Sequence, residues 1–174
     1  MRPIAFHLIS VLLFCSLSVF GQKNMKTVIA ENPFTYVDGT KHSLTEIFKA
    51  HRGKVIYIDF WASWCPPCRK EMPSSIALHE QLDEKDIVFV YISIDKNEQA
   101  WLRSMEKLHI NDKGEHYRRA QEEVQELLKF FYIYSIPHYM IITKDGQLHN
   151  TDALPPSHPK LERQLRKLMR AKVK

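Results

Sequence analysis

Apolar positions along the chain switch between two spacings, and the switches mark out its elements. Residues 55–61 (Val-Ile-Tyr-Ile-Asp-Phe-Trp) and 87–94 (Ile-Val-Phe-Val-Tyr-Ile-Ser-Ile) are runs rich in β-branched and aromatic side chains. Such runs predict strands covered on both faces. Between them, Pro66 and Pro67 suit a first helical turn, so a helix is expected from there to about Asp83, kinked at Pro73 where an interior hydrogen bond is lost. Strand, helix, strand in this order predicts a right-handed parallel crossover. Upstream, residues 34–37 and 40–44 flank Asp38-Gly39 and read as a hairpin. A short helix follows, begun by Ser43 and Glu46 at capping-box spacing, apolar along Leu44, Ile47 and Phe48, and ended by Gly53. Downstream, residues 98–108 predict a helix with Trp101, Leu102 and Met105 on one side, and in 122–132 Val124, Leu127, Leu128 and Phe131 recur at helical spacing. The stretch between them, through Asn111, Gly114 and His116, reads as a polar connection of no predictable conformation. After Ser135-Ile136-Pro137, residues 138–143 and 147–149 flank Lys144-Asp145-Gly146 as a second hairpin. Beyond Pro155, Pro156 and Pro159, a last helix turns Leu161, Leu165 and Leu168 inward and basic residues outward.

Composition narrows the class. In 174 residues, 44% apolar and 26% charged, there is room for one ordinary globular domain, and no internal repeat or low-complexity linker interrupts it. The net charge of +5 comes from 25 basic and 20 acidic residues spread without a block of like sign, so no nucleic-acid partner is expected and the basic face of the last helix reads as solvated surface. The first 21 residues are different in kind: Arg2, an apolar stretch diluted by His7, Ser10, Ser16 and Ser18, then Gly21-Gln22. These are the parts of an export signal, with Val19 and Gly21 before the cut. The stretch is short of the ~20 apolar residues a spanning helix needs, and Phe14 is too large for a lipoprotein signal ending at Cys15. The expected organisation is a signal peptide over 1–21 and a single domain over 22–174.

With Cys15 in the segment to be removed, one cysteine pair remains, Cys65-Pro66-Pro67-Cys68. Cys65 falls at or just before a helix N-terminus, where unpaired N–H groups and the positive end of the dipole stabilise a thiolate. It is the expected nucleophile in thiol–disulfide exchange, with Cys68, one turn in, resolving the mixed disulfide. A zinc site would need a second ligand pair, and His109, His116 and His138 lack ligand spacing, so neither metal nor other cofactor is expected. A purely structural disulfide across so short a loop would constrain little of the unfolded chain. Asp59, the one acid within its apolar run, is the other informative residue. Burial would raise its pKa and suit it as the general base for Cys68.

The segment Asp59-Phe-Trp-Ala-Ser-Trp-Cys65-Pro-Pro-Cys68 resembles the active-site segment of the thioredoxin superfamily. Its exported TlpA/ResA-like branch has the pattern Trp-Cys-x-x-Cys-x-x-Glu-x-Pro, met here by Trp64, Cys65, Cys68, Glu71 and Pro73. The likeness extends from about Phe34 to Leu168. It implies an α/β thioredoxin fold, a central mixed sheet flanked by helices, here with an N-terminal β-hairpin extension. It further implies a cis bond at Ile136-Pro137 facing the cysteines, with the backbone before the proline free to pair with a bound peptide. Asp59 matches the buried acid of cytosolic thioredoxins, Glu71 a glutamate that shares proton handling or shapes the substrate surface, and Trp64 a tryptophan that contacts substrate. The implied protein is an exported, monomeric thiol-disulfide oxidoreductase of the periplasm or cell envelope, acting on protein disulfides and supplied with electrons by a membrane-embedded donor.

Two other functions compete on the same fold. A copper-binding chaperone could use Cys65, Cys68 and a histidine such as His138, since thiolate and imidazole suit Cu(I). A peroxiredoxin-like peroxidase would want Thr or Ser three residues before its cysteine and Pro seven before, positions held here by Ala62 and Ile58.

Overall fold

The computed structural model describes residues 25–31, 34–82, 85–119 and 124–172. In chain order the elements are α1 (Met25–Glu31), β1 (Phe34–Tyr36), β2 (Lys41–His42), α2 (Leu44–Ala50), β3 (Val55–Trp61), α3 (Pro66–Gln81), β4 (Ile87–Ser93), α4 (Glu98–Leu108), β5 (Glu115–Arg119), α5 (Val124–Phe130), β6 (His138–Ile142), β7 (Leu148–Asn150) and α6 (Leu161–Met169). The strands form one mixed sheet in the order β2-β1-β5-β4-β3-β6-β7. β3 pairs parallel with β4 and antiparallel with β6, so its backbone groups are satisfied on both edges and all seven of its residues are buried.

Alternation along β3 divides the core into two layers. Val55, Tyr57 and Trp61 face α3, α4 and α6, which contribute Met72, Leu78, Trp101, Met105, Leu161 and Leu165. Ile56, Ile58 and Phe60 face α1, α2 and α5, which contribute Val28, Ile29, Leu44, Ile47, Leu127 and Leu128. Asp59, two residues from both Tyr57 and Trp61, therefore points to the α3 side.

The local signals act as the sequence predicts. Ser43 and Glu46 form both hydrogen bonds of a capping box. Gly39 takes φ 88° in the first hairpin turn and Gly146 φ 77° in the second. α3 continues through Pro73. Two expectations are corrected. The stretch read as a polar connection contains β5, which pairs parallel with β4 and antiparallel with β1. Through β5 the expected N-terminal hairpin extends the sheet at its edge. Leu102 is exposed, while its neighbours Trp101 and Met105 are buried. β5 is invisible to apolar spacing because its side chains, Glu-His-Tyr-Arg-Arg, are polar, and four of them make separate contacts. Glu115 accepts from Tyr117 (2.7 Å) and pairs with His51 (3.0 Å), His116 stacks on Tyr91, and Arg118 pairs with Glu98 (3.2 Å) while lying over the Trp101 ring. The expected signal peptide and Cys15 lie outside the described residues.

Candidate active site

β3 delivers the chain to the site, and the ladder runs one bond past its end, where the Ile94 N–H donates to the Trp61 carbonyl. Residues 62–65 then form a tight turn closed by the Cys65 N–H on the Ala62 carbonyl, 3.1 Å. This turn leaves Trp64 outward, 61% exposed, and ends with Cys65 as the N-cap of α3.

The first turn of α3 explains why this N-cap is a cysteine. A helix N-terminus ordinarily presents four free N–H groups. Here Pro66 and Pro67 have none, and the Arg69 N–H already donates to the Cys65 carbonyl at 3.1 Å. The remaining first-turn donor, the Cys68 N–H, is aimed at Cys65 Sγ at 3.2 Å. A negative charge on that sulfur would gain both the donor and the end of a 16-residue helix dipole. Cys65 and Cys68 are joined as a disulfide, with Cα atoms 5.3 Å apart. Exposure does not distinguish them, since Cys65 is 3% and Cys68 1% exposed. Their difference lies in position, Cys65 capping the helix and Cys68 within it.

Asp59 is 1% exposed, and neither carboxylate oxygen has a hydrogen-bond partner among the described residues. Burial first, and then the charge of Glu71, push its pKa well above the usual carboxylate range. Three tyrosines surround it on the same face. Tyr91 and Tyr139 lie opposite Asp59 on β4 and β6, and Tyr57 lies two residues back on β3. Burial raises the pKa of all three, and the Asp59 charge adds to the shift. The Tyr57 hydroxyl donates to the Leu154 carbonyl (2.7 Å) and Tyr91 shares a hydrogen bond with Ser75 of α3 (2.8 Å), whereas the Tyr139 hydroxyl has no partner among the described residues. Glu71, on the next turn of α3, accepts from the Ser157 N–H (3.0 Å) and hydroxyl (2.9 Å). Glu71 thus ties α3 to the segment entering α6, while its charge still reaches Asp59 and Tyr139.

The Ile136–Pro137 bond is cis. His138 pairs in register with Phe60, so the cis bond lies at the same end of the sheet as the cysteine turn. Trp64 and Ile136 line one open groove of about 410 Å³, together with Ile94, Leu128, Ile133 and Tyr134. His138 is turned to the Thr151 carbonyl through Nε2 (2.5 Å), and no group of three or more metal-capable side chains occurs among the described residues. The structure thus brings Cys65, Cys68, Asp59 and Glu71 to one face of β3 and α3, with Trp64, Ile136 and Pro137 at its rim. Spacing alone missed Tyr139, Tyr134, Ser63 and Asp95. Only Asp95, an acid directly after an apolar run, carried a sequence signal of the kind that singled out Asp59.

Comparison with known proteins agrees with this geometry. Residues 53–148 match the family described as Thioredoxin-like. The thiol-disulfide oxidoreductase ResA of Bacillus thuringiensis (strain Al Hakam) is 26% identical over 132 residues, covering 74% of this chain and 71% of the relative. A crystal structure from Bacteroides vulgatus, assigned as a thiol-disulfide oxidoreductase, is similar with a TM-score of 0.66 and 31% identity, covering 78% of this chain and 90% of the other. A solution structure from the same organism, assigned likewise, has a TM-score of 0.70 and 29% identity, covering 88% and 93%. With a Cys-x-x-Cys disulfide capping a helix at the end of a central strand, this chain belongs to the thioredoxin-like family and is a thiol-disulfide oxidoreductase of the TlpA/ResA type.

Proposed function

We propose that the protein is an exported reductant or exchanger of disulfides in client proteins, with Cys65 as the attacking thiol and Cys68 as the resolving one. The Cys65 thiolate attacks one sulfur of a client disulfide, forming a Cys65–client mixed disulfide and releasing the other client sulfur as a thiolate. Asp59 takes the proton of Cys68. The Cys68 thiolate then attacks Cys65 Sγ, closing the intramolecular disulfide and releasing the second client thiol, so two electrons pass from the pair to the client. Trp64, Ile136 and Pro137 contact the client, and Glu71 modulates Asp59 through its charge. The observation that carries the assignment is the Cys68 N–H aimed at Cys65 Sγ in a helix start otherwise without free donors.

Residues 1–21 direct a single domain over 22–174 to the periplasm or envelope of a bacterium, where it works as a monomer and a membrane-embedded donor restores its thiols. The segment's Arg2, apolar middle and Gly21 support export. No helix among the described residues is long and apolar enough to cross a membrane.

Trapping tests the thiol roles. Cys68→Ser is expected to accumulate mixed disulfides with client proteins and Cys65→Ser is not, as read on non-reducing gels. Accumulation only in Cys65→Ser would reverse the assignment.

A further inference from the structure

Asp95 lies two residues beyond the end of β4 and is almost wholly buried, yet the exchange steps make no use of it. Its carboxylate accepts three hydrogen bonds. Oδ2 takes the Ser63 N–H (2.8 Å) and the Ser93 hydroxyl (2.7 Å), and Oδ1 takes the Ser63 hydroxyl (2.7 Å). The Asp95 N–H returns to Ser93 Oγ at 3.0 Å, and the Ile94 N–H on Trp61 anchors the same segment to β3. Ser63 is the first central residue of the turn that the Cys65 N–H closes on Ala62. One carboxylate therefore grips that residue by its backbone and its side chain together, and the two residues that follow are Trp64 and Cys65.

We infer that Asp95 is a positioning residue for the redox pair: through Ser63 it fixes the turn that sets Cys65 Sγ against the Cys68 N–H and holds Trp64 outward at the groove. Hydrogen bonds to a charged acceptor contribute about twice as much as neutral ones and are directional, so a turn held by two of them has little freedom to rotate. The consequence falls on the thiolate. Cys65 keeps its donor only while its backbone enters α3 at the present angle, and a turn free to rotate exchanges that donor for water.

This inference rests on Cys65 being the attacking thiol, and the experiment separates the two. Alkylation by iodoacetamide is followed against pH in the reduced Cys68→Ser chain, alone and combined with Asp95→Asn or Ser63→Ala. The expected result is an acid limb that moves to higher pH in both variants. At about pH 6, Asp95→Asn reacts roughly five-fold more slowly, and Ser63→Ala, which keeps the backbone half of the grip, roughly two-fold more slowly. Rates converge once the thiol is fully ionised. A limb that stays in place or moves to lower pH in either variant overturns the inference; faster reaction in Asp95→Asn would mean that repulsion of the thiolate is all the carboxylate contributes. Should Asp95→Asn not fold, Ser63→Ala decides alone. An ordinary thiol profile in the Cys68→Ser parent would defeat the assignment of Cys65 and this inference with it. A depressed parent profile that neither variant shifts defeats only the role of Asp95.

Discussion

Asp59 is a carboxyl group with no hydrogen-bond partner among the described residues, enclosed by Tyr57, Tyr91 and Tyr139, and near enough to Glu71 to feel its charge. Its pKa lies well above the unfolded value of about 3.9, so the folded chain holds this proton more tightly than the unfolded one. The stability it contributes is therefore complete below about pH 4 and is lost as pH rises through the folded value. Asp59→Asn, which cannot ionise, is expected to be more stable than the parent at about pH 8, with the difference closing toward about pH 4, as measured by urea unfolding across that range. The same substitution should slow resolution of a mixed disulfide more near neutral pH than at high pH, where Cys68 ionises unaided. Stopped-flow kinetics reads this directly, and equal slowing at every pH would count against proton transfer.

Two helices carry an unusual residue at their C-terminal ends. α4 is followed by His109 at φ 54° and α5, one residue past Phe131, by Tyr132 at φ 58°, positions that glycine commonly fills. Both ends are closed by turn bonds reaching back five residues, Ile110 N–H to the Met105 carbonyl (3.2 Å) and Ile133 N–H to the Leu128 carbonyl (2.8 Å), and each bonded pair is buried in the core. Tyr132 itself is exposed, so its replacement uncovers little apolar surface. A left-handed conformation costs an L-residue about 1–2 kcal/mol, and glycine returns about 0.4–1 kcal/mol of that through the freer unfolded chain. Tyr132→Gly is therefore expected to stabilise by about 0.5–1 kcal/mol in denaturant unfolding. A loss of stability would show that the edge contact of Tyr132 with Tyr134, ring centres 6.3 Å apart, outweighs the backbone gain.

Across the whole molecule, His116 links elements that spacing does not connect. From β5 its ring stacks on Tyr91 of β4 (4.7 Å between centres, 5° between planes), and its Nε2–H donates to the Ile110 carbonyl at 2.6 Å. Tyr91 in turn shares its hydroxyl with Ser75 of α3. Burial, outweighing the hydrogen bond to Ile110, pushes the His116 pKa down to about 4. The unfolded chain takes up this proton near pH 6.5 and the folded chain does not, so stability from this group is present above about pH 6.5 and lost as pH falls toward 4. The loss is on the order of 3 kcal/mol for a shift of this size. Over the same interval Asp59 contributes with the opposite sign. Acid unfolding in the Asp59→Asn background should isolate the His116 limb, and adding His116→Gln should flatten it. An unchanged slope would mean that the acid sensitivity resides elsewhere.

Whatever depends on residues close together along the chain is legible from their order alone. The Asp-Gly turn, the Ser43–Glu46 box, the two prolines behind Cys65 and the apolar runs of β3 and β4 each follow from backbone preference or burial within a few residues. Asp59 stands out in the same local way, since an acid inside an apolar run needs a partner or a function wherever the chain goes. Tertiary structure decided what depends on partners far apart. β5 is a strand because β1 and β4 pair with it on either side and because His51, Glu98, Trp101 and Tyr91 contact its polar side chains. Glu71 meets Ser157 across 86 residues and Ser63 meets Asp95 across 32. Hydrogen-bond partners at such separations leave no period in the sequence, because their approach is set by the packing of whole elements rather than by spacing along any one of them.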